Sequence, residues 1–129
     1  MTQLAVGGDS PRSLNRRNTI LVVDDDADVR ESLYDVLGPE GYSVILACNG
    51  KVALGLLPTL QRPCGIILDL AMPVMSGTEL YQAMRAVPDL ANIPVVFLTS
   101  NSSAAPSGVP MMKKTVSLER LLGMVVALF

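Results

Sequence analysis

Five residues carry most of the chemistry this sequence could perform: Asp24 and Asp25 in VVDDD, Asp69 in GIILDLAMPVMSG, Thr99 in FLTS and Lys114 in MMKKT. Each follows an apolar run. If those runs are parallel strands, their polar ends meet along one edge of the sheet, where ligands collect in parallel α/β proteins. Several carboxylates brought that close cannot all stay ionised unless a cation intervenes. Oxygen-only ligands favour a hard ion, and a site with few protein ligands favours Mg2+ over Ca2+. A hydroxyl and an ammonium around the same point suit a phosphoryl group, whose oxygens want donors and positive charge. Asp69 stands alone at the end of its run, and a carboxylate can act as a nucleophile that accepts phosphate. Metal and lysine would offset the charge it gains.

The elements needed to position these residues are legible in the pattern. Residues 19–24 (TILVVD) form a β-branched run that reads as a buried strand. Val29, Leu33, Val36 and Leu37 then mark a helix with one buried face, stopped by Gly38, Pro39 and Gly41. A second strand follows at 43–48, and a short helix at 51–57 that Pro58 should end. The third strand is GIILD, 65–69. Ser76 and Glu79 fit a capping box opening a helix to about residue 86. Strand four spans 94–99, and a short fifth strand covers 111–114. From Ser117, a last helix draws its apolar stripe from Leu118, Leu121, Leu122, Val125 and Val126. Strands that alternate with helices and are apolar throughout indicate a parallel sheet covered on both faces. One crossover breaks the pattern. Residues 101–110 (NSSAAPSGVP) hold no helical periodicity, and parallel strands normally need a connection of a dozen or more residues.

Composition narrows the classes of function. At 129 residues the chain suits one domain with a real core. It contains no histidine, which excludes a histidine base, zinc ligand or phosphocarrier. Cys48 and Cys64 lack metal-ligand spacing and read as two small buried hydrophobes. Residues 1–17 carry 3 − 1 = +2 and read as a flexible polar leader, whereas 18–129 carry 7 − 11 = −4. An acidic domain with 4% aromatics is a poor nucleic-acid binder. No apolar run reaches a membrane span, and no signal-peptide core is present, so a cytoplasmic protein with no membrane partner is expected.

VVDDD, LDLAMPVMSG, FLTS and the lysine before TVSLERLL resemble the receiver domains of bacterial two-component response regulators, over about residues 18–129. The spacings 69 − 25 = 44 and 99 − 69 = 30 match ordinary receivers. The resemblance implies a flavodoxin-like three-layer α/β sandwich with a five-stranded parallel sheet in the order 2-1-3-4-5. It makes Asp69 the phosphoacceptor. Asp25, Asp69 and the backbone carbonyl of Ala71 would ligate Mg2+ directly, with Asp24 acting largely through a water on the metal. Lys114 would pair with the phosphoryl oxygens, and Thr99 would swing its hydroxyl onto them.

The departures are specific. Thr115 stands where receivers usually follow the lysine with proline, and Met111 stands where they usually carry a rotating aromatic. The spacing 114 − 99 = 15 is about one short helix less than the norm, so the fourth helix is expected to be missing or replaced by a loop. Beside these readings stand plainer ones. Asp26 reads as a helix cap, Lys113 as a solvated neighbour and Met111 as core filling.

The expected function is therefore a receiver phosphorylated by a sensor histidine kinase or phosphotransfer protein. It would not be an enzyme, and would be a monomer or weak dimer. Because the last helix ends at Phe129, output is expected through protein–protein contact or onward phosphoryl transfer, with an order–disorder change in 101–110. A second reading is a degenerate receiver acting as a phosphorylation-independent interaction module. A third, a phosphatase of the haloacid-dehalogenase type, needs an acid two residues after the nucleophile, where Ala71 stands.

Overall fold

The computed structural model describes residues 18–100, 106–114 and 116–129. The leader 1–17, the first half of the short crossover (101–105) and Thr115 after the lysine lie outside the described residues.

Strand β1 (Thr19–Val23) leads through Asp26 into helix α1 (Ala27–Leu37). Asp26 is the cap, its side chain accepting from the Asp28 N–H at 2.9 Å. Helix α1 tightens into a 3-10 turn over Gly38–Glu40, and Gly41 closes it. Strand β2 (Ser43–Ala47) and helix α2 (Gly50–Leu56) follow. Helix α2 ends at Leu56, just before Pro58, as the pattern suggested. Pro58 itself lies inside a 3-10 turn at Leu57–Thr59, where the missing N–H is not needed. Strand β3 (Gly65–Asp69), helix α3 (Gly77–Arg85), strand β4 (Val95–Thr99), strand β5 (Met111–Lys113) and helix α4 (Leu118–Leu128) complete the order. Helix α3 opens on the expected box. The Glu79 N–H donates to Ser76 Oγ at 3.1 Å, and the Ser76 N–H donates to Glu79 Oε1 at 2.9 Å.

The sheet runs β2-β1-β3-β4-β5, and every neighbouring pair is parallel. The two periodic faces of the strands explain why no strand alternates in polarity. Leu21, Val23, Ile66, Leu68 and Phe97 face one core with Ala53 of α2 and Leu80 and Met84 of α3. Ile20, Val22, Ile67, Val96, Leu98 and Met112 face the other, with Leu33 and Leu37 of α1 and Leu121 and Val125 of α4. At about 25 cal/mol per Å² of apolar burial, a sheet covered on both faces is the main stabiliser of such a domain.

The described residues contain four helices, with none between β4 and β5. Residues 107–108 there form a turn. The last helix has a narrower stripe than its sequence suggests. Leu118 and Val126 are 44% and 58% exposed, because only one face of α4 meets the sheet. Both cysteines are free thiols, and Cys48 is exposed rather than buried because it lies just beyond the end of edge strand β2. Cys64 is half-buried and, like Phe129, packs against the second core. A side chain on Gly65 would collide with the Phe129 ring, its Cβ lying 2.3 Å away, so the aromatic closes the start of β3 only over a glycine. Among the described residues no helix is long and apolar enough to cross a membrane.

Candidate functional site

The carboxyl ends of β1, β3, β4 and β5 bring together the residues that the sequence singled out. Asp69 is the last residue of β3 and only 3% exposed. Asp24 follows β1 and is 1% exposed. The backbone bond from the Asp24 N–H to the Ala47 carbonyl (3.1 Å) extends the β1–β2 ladder one residue. Asp24 Oδ1 accepts from the Asp26 N–H at 2.9 Å, which turns the chain towards α1 and aims the carboxylate inward. Asp25 is exposed, and one carboxylate oxygen from each of Asp24, Asp25 and Asp69 lies within 4.8 Å of the others.

Of the two adjacent lysines, Lys114 lies at the strand ends. Thr99 ends β4, and its carbonyl accepts from the Lys114 N–H at 2.8 Å, which anchors the chain just past β5. Lys113 is exposed. Lys114 Nζ reaches over the strand ends to 3.2 Å from Asp24 Oδ2 and 3.2 Å from Asp69 Oδ2. Thr99 itself is buried. Met111 is half-buried against the core that holds its register partner Phe97. Ala71 lies in the loop after β3, its N–H donating to Asp69 Oδ1 over a long 3.4 Å.

These contacts leave the site electrostatically unbalanced. Burial, and secondarily the Asp24 charge, push the Asp69 carboxyl up from 3.8 to about 6, against the opposing pull of Lys114. Asp24 is raised as well, chiefly by burial, despite its bond from the Asp26 N–H. For Lys114, burial alone would lower the pKa, but the charges and hydrogen bonds of Asp24 and Asp69 outweigh it and the ammonium is held more firmly. Asp24 Oδ2 and Asp69 Oδ2 are buried and face the Lys114 ammonium at 3.2 Å each, without a well-aligned hydrogen bond. Three carboxylates, two of them buried and sharing a single lysine, make a donor set that fits a hard divalent cation.

Three features of the site escaped the pattern. Gly77 packs the start of α3 onto the end of β3, where a Cβ would stand 2.1 Å from the Asp69 carbonyl oxygen. The SG step of the capping box is the trace of it in sequence. Val74 has φ 71°, and the Met75 N–H donates to the Pro73 carbonyl at 2.8 Å, making a γ-turn of the rare positive-φ kind. A valine there gives no hint of that conformation. Arg30 Nη1 donates to the Asp24 backbone carbonyl at 2.8 Å, and nothing in the helical pattern singles it out.

A parallel sheet of this order, with carboxylates, a hydroxyl and an ammonium gathered at its carboxyl edge, defines the class of bacterial signalling receivers. The chain matches the response regulator receiver domain over residues 20–120 and belongs to that family. It is 43% identical over 86 residues to the response regulator MprA of Mycolicibacterium vanbaalenii, covering 67% of this chain and 36% of that protein. The chain thus spans about a third of the length of the curated relatives it matches. Among solved structures, Vibrio cholerae chemotaxis response regulator CheY4 superposes with a TM-score of 0.79 at 28% identity, covering 86% of this chain and 98% of that one. Response regulator TrrA of Thermotoga maritima, in complex with Mg2+–BeF, gives 0.74 at 30% identity, covering 86% and 98%.

Proposed function

We propose that this receiver is phosphorylated on Asp69 by a sensor histidine kinase or phosphotransfer protein and signals through protein–protein contact. The supporting observation is the setting of Asp69: a buried carboxylate 3.2 Å from the Lys114 ammonium, grouped with two further carboxylates. A pKa of about 6 leaves it largely ionised at neutral pH, as a nucleophile requires. In the transfer, an Asp69 oxygen bonds to phosphorus as the P–N bond to the donor histidine breaks. The leaving imidazole keeps the electron pair of that bond and takes up a proton.

The residues divide the remaining work. Asp24, Asp25, Asp69 and the backbone carbonyl of Ala71 would hold Mg2+, which when bound supplies charge neutralisation for the incoming phosphoryl group. Lys114 supplies the second positive charge, directed at the same oxygens. Thr99, at the end of β4, offers a hydroxyl that moves onto the phosphoryl group and reports its arrival. Met111 fills core at the place of the usual aromatic, so any readout of that movement passes through a flexible side chain. Residues 18–129 form the receiver and 1–17 a polar leader. The protein works in the cytoplasm as a monomer or weak dimer, without binding nucleic acid.

A second reading, an interaction module that does not depend on phosphorylation, draws on the short crossover and on Met111 packed as core. Intact-mass spectrometry after incubation with a small acyl phosphate and Mg2+ separates the two. The proposal predicts one added phosphoryl group in the wild type and none in Asp69→Ala. No adduct in either, with partner binding unchanged by Asp69→Ala, would favour the interaction module.

A further inference from the structure

Asp24 is held at every polar point of its backbone, and one of those points depends on a side chain six residues away. Its N–H is bonded to Ala47, the last residue of β2. The carbonyl of a strand residue points to the same side as its N–H, but β2 has ended and offers no donor there. Arg30 supplies it. From the first turn of α1 its guanidinium donates to the Asp24 carbonyl at 2.8 Å, and the bond is partly shielded from water. That carbonyl belongs to the peptide joining Asp24 to Asp25. Its orientation sets where both carboxylates point.

We infer that Arg30 is a positioning residue for the cation-binding carboxylates, locking the Asp24–Asp25 peptide so that both acids converge with Asp69. The inference rests on the reading of this site as a cation-dependent phosphoacceptor. It also makes a prediction whose sign distinguishes it from simple charge. A nearby positive charge opposes cation binding, so if Arg30 acted only through its charge, removing it would tighten Mg2+. If it acts by fixing the peptide, removing it weakens Mg2+, and outer-shell partners of metal ligands typically cost about 10–100-fold when lost.

The test is Mg2+ titration by calorimetry on the full chain, comparing wild type with Arg30→Ala, Arg30→Met and Arg30→Lys. Circular dichroism of each without metal monitors the fold. Arg30→Ala should bind about tenfold more weakly. Arg30→Met keeps the stem and serves if the alanine variant is unfolded; the same loss is expected. Arg30→Lys, which retains a donor, should restore most of the affinity. Unchanged or tighter binding in folded Arg30→Ala or Arg30→Met, with normal wild-type binding, would overturn the assignment of Arg30 alone. A wild type that takes up no Mg2+ would overturn the cation-dependent reading of the site, and this inference with it.

Discussion

Replacing Asp69 with asparagine should stabilise the metal-free protein at neutral pH and do nothing at acid pH. Asparagine is close in shape to a protonated aspartate, so the variant mimics the state that burial favours. The Asp69 carboxyl is raised from 3.8 to about 6, mainly by burial and then by the Asp24 charge. Between those two values the folded protein holds a proton that the unfolded chain has released, so stability falls as pH rises through the window. Above pH 6 the loss is complete. A shift of about two units corresponds to roughly 2–3 kcal/mol. Urea unfolding in EDTA, followed by far-UV circular dichroism, should find Asp69→Asn level with wild type near pH 4 and more stable by about 2 kcal/mol at pH 7.5. Saturating Mg2+ should shrink or reverse the gap, because only the wild type keeps its full ligand set. An asparagine variant that is no more stable than wild type at pH 7.5 in EDTA would refute the reasoning.

Other substitutions probe the parts around the acid. Lys114→Met removes the charge that opposes the rise, so the Asp69 titration in EDTA should move above about 6, as followed by carboxyl NMR; a midpoint that stays or falls would contradict the ion pairing. Gly77→Ala sets a methyl against the Asp69 carbonyl and should cost about 3 kcal/mol in urea unfolding, because backbone rather than a flexible side chain must give way. Val74→Gly should relieve the positive-φ valine, and a rise in stability of about 1 kcal/mol is expected once the extra freedom of glycine in the unfolded chain is counted.

Much of the fold is legible because each element carries its own local signal. The buried strands declare themselves through unbroken β-branched runs, and α3 through Ser76 and Glu79. That no helix stands between β4 and β5 among the described residues shows as a spacing too short to hold one, together with Pro106, Gly108 and Pro110. The site acids are legible for a related reason. A carboxylate at the end of an apolar run is costly unless something neutralises it, so Asp24 and Asp69 stand out. Lys114 is separable from Lys113 because strand faces alternate. What stays hidden depends on contacts between distant segments. The exposure of Cys48 follows from β2 being an edge strand that stops at Ala47. The burial of Leu121 but not Leu118 follows from which face of α4 meets the sheet. The Arg30 clamp on Asp24 exists only because the β2 ladder runs out where it does.

The question raised by a lone aspartate at the end of GIILD has a direct chemical answer. An acyl phosphate is reduced by borohydride to the alcohol, which turns a phosphorylated aspartate into homoserine. The receiver, treated with a small acyl phosphate and Mg2+, trapped with borohydride and mapped by peptide mass spectrometry, should carry homoserine at residue 69 and nowhere else. Unmodified Asp69, or homoserine at Asp24 or Asp25 instead, would contradict the assignment of Asp69 as the phosphoacceptor.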